Sequence, residues 1–405
     1  MATIRPFRAL RPPRESVARV AAPPYDVVDT TEARALAEGN PDSFLRISRP
    51  EIDLGDVDAH ADEVYARGRD NLGEFVRRGV LVRDDAPGLF VYRQRWGDSV
   101  QTGVVGCATV DEYRRGLIAT HEHTRPDKET DRTRHIDALG AHDESVFLMY
   151  RPDAPGAADV ADVVGRVTSG APEYELTVGD VDHTLWRVTD AERVGALSEA
   201  FAAIPLLYVS DGHHRCAAAA RVADARDEAG AAEFPCVVFP ADELTILAYN
   251  RVVRDLGGLD AGSFRAALEG DFVVDAAPEA PRPGRHQFGL YVDGGWWLLT
   301  ARPGVADDSD PIARLDVSVL TERVLALLGI TDQRTDQRIA FVGGIRGTGE
   351  LERLVDSGDF AVAFALHPTS PGEVMDVADL GEVMPPKSTW FEPKLRSGLF
   401  VHPID

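Results

Sequence analysis

The run LLYVSDGHHRCAAAAR, from Leu206 to Arg221, sets an apolar segment against a short polar turn and then an alanine-rich stretch. High helix propensity makes that last stretch a helix beginning near His214. A helix start carries backbone N–H groups with no partner in the helix and a partial positive charge, so it attracts anions. His213, His214 and Arg215 add side-chain donors at the same end, and Gly212 lies in the turn before them. Phosphate is the natural guest. The plainer alternative is that Ser210 or Asp211 caps the helix, which would need neither two histidines nor an arginine.

A second constellation packs His121, Glu122, His123, Thr124, Lys128, Asp131, Arg132 and His135 into fifteen positions. An HxH pair on a strand shares one face, so His121 and His123 also resemble the start of a metal-dependent hydrolase site. A solvated loop with surface ion pairs is the third way to read it. The chain has three lysines, Lys128, Lys387 and Lys394, against forty arginines, so each surviving ammonium is informative. Lysine supplies a compact, movable charge where arginine supplies a rigid fork. Two of the three lie in VMPPKSTWFEPKLRSGLFVH, where Pro385, Pro386 and Pro393 stiffen the backbone around Lys387, Ser388, Thr389, Lys394 and Ser397. Cations and hydroxyls held in advance suit a phosphate. The same segment also suits a lid packed through Trp390, Phe391, Leu395 and Phe400. Near the start, Pro23 and Pro24 force a turn before Tyr25 and Asp26, whose carboxylate either faces a pocket or completes the turn.

Several chemistries are excluded or disfavoured. VGGIRGTGE fits neither GxxxxGK[ST] nor GxGxxG, and no GxSxG elbow and no HRD with DFG set occurs. A net charge of −24 repels nucleic acid and anionic membranes, so neither is expected as a partner. Three cysteines without CxxC spacing argue against a disulfide framework, and no apolar stretch reaches a membrane span. A cytoplasmic location is the expectation.

The elements that must position these residues read as mixed strands and helices. LFVYRQRW and VQTGVVGCATV flank Gly97 and Asp98 as a hairpin, helices are expected near 58–78 and through HIDALGAH, and VFLMY, LLYV and CVVF are strands. LDVSVLTERVLALL reads as a helix, and a second hairpin sits at Gly179 and Asp180. Hairpins mixed with helices predict an α+β fold of mixed sheets with flanking helices. Three segments are expected, 1–152 with the PPYD and HEHT motifs, 153–256 with DGHHR, and 257–405 with MPPKST.

AAPPYDVV, HEHTRPDKETDR, SDGHHRCAAAAR, LAYNRVVRDL and MPPKSTWFEPKLRSGL occur in this order across nearly the whole chain. Together they resemble the family called domain of unknown function 1015. Through its DGHHR loop that family is similar to free-serine kinases with a ParB-like, sulfiredoxin-like nucleotide or phosphate-binding core, one of which uses pyrophosphate. The resemblance implies phosphorylation of free L-serine to O-phospho-L-serine, with Asp211, Gly212, His213, His214 and Arg215 holding the donor. Cys216 stands where an aromatic residue is common, and Trp390 where a tyrosine is expected. On chemical grounds Lys387, Ser388, Thr389 and Lys394 are assigned to pyrophosphate, and Mg²⁺ is expected to bridge it to Asp211. Glu122 is the expected base, Asp26 its reserve, and Tyr25, His121, His123, Thr124, Lys128 and Arg132 line the substrate side. Other readings remain open: a nucleotide as donor, a phosphatase, a metal-dependent hydrolase, or a nucleotide-binding regulatory protein; a homodimer is a possible assembly.

Overall fold

The computed structural model describes residues 2–55 and 57–405 and has a mixed α+β architecture of several sheets with flanking helices. Two compact units are present, one running up to Leu244 and closed by Pro393–Asp405, the other Thr245–Glu392. This differs from the three expected segments. The border at 152/153 falls inside one continuous sheet, and the last residues of the chain return to the first unit.

The first unit is built on eight strands: β1 (Leu89–Trp96), β2 (Ser99–Thr109), β3 (Ile118–Ala119), β4 (Val146–Tyr150), β5 (Tyr174–Val178), β6 (Val181–Val188), β7 (Leu207–Asp211) and β8 (Glu233–Pro240). Their spatial order is β3-β7-β4-β8-β2-β1-β6-β5. The pairs β3/β7 and β4/β8 are parallel and the others antiparallel, so the sheet is mixed. The two expected hairpins form as β1/β2 and β5/β6, since Gly97 and Gly179 adopt the positive φ such turns require. Five longer helices flank it: α1 (Asp62–Arg77), α2 (Pro126–Leu139), α3 (Ala157–Thr168), α4 (Ala191–Ala203) and α5 (His213–Ala225). One face of α5 is Cys216, Ala219 and Ala223, which pack with Val209 of β7 and Leu148 of β4 in a continuous apolar core. Small alanines let α5 and α2 lie close together, with Ala218 and Val222 against Ile136. The C-terminal residues cross this unit as a strap, bridging Ser397 to Ala22 and Val401 to Leu10 and pairing His402 with His142.

The second unit holds six antiparallel strands, β9 (Tyr249–Val253), β10 (Phe272–Ala277), β11 (Gln287–Val292), β12 (Gly295–Ala301), β13 (Ile339–Gly343) and β14 (Val362–Leu366), ordered β10-β12-β11-β14-β9-β13. The segment LDVSVLTERVLALL is not one uniform α-helix. It is α-helical over Asp316–Leu320, widens to a π turn over Thr321–Leu325 and tightens to 3₁₀ over Ala326–Leu328. The Thr321 hydroxyl donates to the Val317 carbonyl at 2.6 Å, a side-chain bond competing with the regular ladder where the change begins.

Candidate functional site

The α5 start is as the sequence predicts, with one refinement. The cap is Gly212, at φ +107° and with no side chain to offer, so neither Ser210 nor Asp211 caps the helix. The first N–H groups of α5 are therefore left without a side-chain acceptor, the condition under which a helix start takes up an anion. A Cβ on Gly212 would meet Arg215 Nε at 2.9 Å, so any side chain there would also push the guanidinium from its place.

Asp211 and Arg215 organise the charges. Lys394 Nζ donates to Asp211 Oδ2 at 2.9 Å, and Arg215 reaches Asp211 Oδ1 at 3.4 Å. Burial pushes the Asp211 carboxyl up, but Lys394 and Arg215 outweigh it and hold the carboxyl well below the usual range. Arg215 also donates to the Ser145 carbonyl and lies 3.9 Å from Glu144 Oε2. With Lys394 and Arg215 both on its oxygens, Asp211 serves as counter-ion to two cations. A divalent metal on Asp211 would have to share or displace these cations.

His121 and His213 pack edge to face, with ring centroids 4.5 Å apart. The His121 backbone N–H donates to His213 Nε2 at 3.4 Å, which makes Nε2 the bare nitrogen and places the proton on Nδ1, 3.9 Å from Glu122 Oε2. Burial lowers both histidines, His121 to about 4, so both rings are neutral near pH 7. Neither ring nitrogen of His121 makes a hydrogen bond of good geometry among the described residues. His214 accepts from the Arg125 N–H at 3.1 Å and thereby fixes the loop that leads into α2.

A second layer lies behind Arg215. Glu144 Oε1 accepts from the Tyr25 N–H at 3.0 Å and from the Ser397 hydroxyl at 2.7 Å, tying the PPYD turn to the strap. Arg132 stacks over the Tyr25 ring at 4.0 Å and is held by Asp131 at 2.7 Å. A cavity of about 10 Å³, room for one water, is lined by Tyr25, Arg132, Asp143, Glu144 and Arg215. Burial raises the Glu144 carboxyl to about 7, despite the nearby Arg215. Asp143 pairs with buried His135 at 3.1 Å. Neither Asp143 nor Glu144 was singled out from the sequence, although both stand in the AHDES run that ends the HEHT constellation.

The first unit thus gathers Tyr25, His121, Glu122, Arg132, Asp211, Gly212, His213, His214, Arg215 and Lys394. Asp26 is exposed beside Tyr25, close enough for its charge to act on Arg215 and Glu144. Other expected members stand apart. The residues His121–Arg125 lie outside any strand, because β3 ends at Ala119 and Pro126 opens α2, so the HxH pair does not share a strand face. His123 is exposed, and His121 and His123 join no cluster with metal-ligating spacing among the described residues. The Thr124 hydroxyl is occupied by Glu129, and Lys128 is half-buried in the first turn of α2. Lys387, Ser388 and Thr389 belong to the second unit. There Lys387 is exposed at φ +56°, its ammonium 5.6 Å from the centre of the Tyr249 ring. The buried Arg251 donates to the Pro386 carbonyl at 3.1 Å, and the Ser388 hydroxyl to that of Pro385 at 2.6 Å, so the turn presenting Lys387 is rigid.

The family described as "Protein of unknown function (DUF1015)" matches residues 4–318. No curated protein matches the chain. Among solved structures, a conserved hypothetical protein from Pyrococcus furiosus is similar at 15% identity and TM-score 0.36, over 73% of this chain and 95% of that one. A free serine kinase in complex with AMP is similar at 14% identity and TM-score 0.37, over 73% and 92%. SbnI with C-terminal truncation from Staphylococcus aureus is similar at 12% identity and TM-score 0.41, over 74% and 87%. No helix among the described residues is long and apolar enough to cross a membrane.

Proposed function

This chain belongs to the DUF1015 family, and we propose that it is a phosphotransferase that makes O-phospho-L-serine from free L-serine, with pyrophosphate as donor. The observation that carries the reading is the meeting of Lys394, Arg215 and the uncapped start of α5 around Asp211. Two cations and a row of backbone N–H groups converge where a terminal phosphate would sit, which is the recurring need of phosphoryl transfer. In this reading Mg²⁺ arrives with the phosphates of the donor rather than resting on Asp211.

The serine hydroxyl oxygen attacks the terminal phosphorus, the bridging P–O bond breaks, and inorganic phosphate leaves. Glu122 takes the hydroxyl proton, with 41% of its side chain exposed and its carboxylate 3.9 Å from His213 Nδ1. A neutral His213 beside that carboxylate leaves it charged and able to accept the proton. Arg215 and Lys394 stabilise the charge gathering on the transferred group and on the leaving oxygen.

Glu122→Gln separates binding from chemistry. Turnover falls at least about 100-fold while the affinity for pyrophosphate, measured by calorimetry, stays within about threefold. Normal turnover in the variant removes Glu122 from the role of base.

A further inference from the structure

Three groups of metal-ligating type meet on the first unit, and none belongs to the cluster around Asp211. Cys107, Glu233 and His402 each offer one ligand atom, and these atoms all lie within 4.8 Å of one another. The sheet explains two of them. Cys107 of β2 stands directly opposite Pro235 of β8, and Glu233 lies two positions before Pro235, hence on the same face as Cys107. The strap supplies the third, placing His402 beside His142 in a short antiparallel pair, with the Phe7 ring edge-on at 5.6 Å.

The surroundings have the form of an outer shell. His402 Nε2 lies 3.2 Å from the Gly230 carbonyl oxygen, an acceptor only, so Nε2 carries the proton and Nδ1 is the basic nitrogen. Metal-bound histidines are held in this way, by a carbonyl on the ring nitrogen that does not bind the ion. Arg5 donates to Glu233 Oε1 at 2.6 Å and orients that carboxylate, which retains lone pairs for a second partner. Cys107 and His402 are buried, while the Glu233 side chain keeps 19% of its exposure and marks the way in.

We propose that Cys107, Glu233 and His402 bind a divalent ion of the zinc class. A thiolate with an imidazole and a carboxylate suits zinc, whereas Mg²⁺ and Ca²⁺ take oxygen ligands. Binding releases the Cys107 thiol proton to solvent. Three protein ligands leave a fourth position for water, and the ion ties the strap that carries Lys394 and Ser397 to β2 and β8.

The test uses the full chain, stripped with a chelator and titrated with Co²⁺. One equivalent is expected to produce a thiolate-to-cobalt charge-transfer band with the visible bands of a tetrahedral ion, and Zn²⁺ is expected to displace it. Cys107→Ser abolishes the charge-transfer band, and His402→Gln weakens binding at least about tenfold. Cys216→Ala and Cys236→Ala leave the spectrum unchanged. Absence of the band at one equivalent in the unmutated chain, or its survival in Cys107→Ser, overturns the proposal. Where Cys107→Ser does not fold, the more exposed Glu233→Gln decides: a weakened titration supports the site, an unchanged one overturns it.

Discussion

The Lys394 ammonium lies 2.9 Å from the Asp211 carboxylate across 183 positions of sequence, joining the strap to the end of β7. One of only three lysines in the chain is thus spent on the residue that precedes the α5 start. Lys394→Met removes a partner from a largely buried carboxylate and costs about 2 kcal/mol of stability. It also removes a cation from the phosphate position, so kcat/KM falls about 100-fold or more. Lys394→Arg restores the charge but not the compact ammonium, and recovers stability better than activity. Urea denaturation and initial rates on the same preparations check both.

Gly212→Ala is expected to be disruptive through the backbone as well as through packing. The residue sits at φ +107°, where an L side chain is strained by about 1–3 kcal/mol. Its new Cβ would also press on Arg215, 2.9 Å from Nε. A lowered melting temperature together with weakened pyrophosphate affinity is the predicted result. An alanine variant that is unchanged in both would remove the close approach of Arg215 from the account.

Glu144 predicts a pH dependence. Its carboxyl is raised from 4.5 to about 7, so the folded state holds a proton that the unfolded chain gives up. Its contribution is therefore fully present below about pH 4.5 and is lost as pH rises through about 7. Glu144→Gln removes that dependence, and the stability difference between the two proteins changes between pH 5 and pH 8. Urea unfolding at several pH values measures it, and parallel curves would show that Glu144 does not titrate in this range.

Lys387 is a non-glycine residue at φ +56°, a conformation costing about 1–2 kcal/mol. Strain of this kind at an exposed charged side chain is commonly kept for binding. Lys387→Gly relieves it, so the urea midpoint is expected to hold or rise. A clearly lowered midpoint would show that the left-handed conformation at Lys387 is not a source of strain.

The start of α5 was legible because its signals are local: an alanine-rich run, a glycine, and three donors in succession. The hairpins at Gly97 and Gly179 were legible for the same reason. Glu144 was not, because its role comes from Tyr25, 119 positions away, and Ser397, 253 positions away, neither of which marks it in sequence. The HxH expectation failed on a boundary, since the short β3 stops before His121 and Pro126 turns the chain into α2. The expected segment borders differ because the strap returns to the first unit after the whole second unit has been laid down. Cys107, Glu233 and His402 share the same difficulty, for only the β2/β8 register and the strap bring them together.

Phosphorus NMR of the purified chain with L-serine and Mg²⁺, in separate samples containing pyrophosphate, ADP or ATP, tests the central claim most directly. A phosphoserine resonance is predicted to grow with pyrophosphate, matched by inorganic phosphate and absent when serine is omitted. Growth only with a nucleotide would keep the phosphotransferase and replace its donor. No phosphoserine in any sample, with all donors intact, would contradict the account.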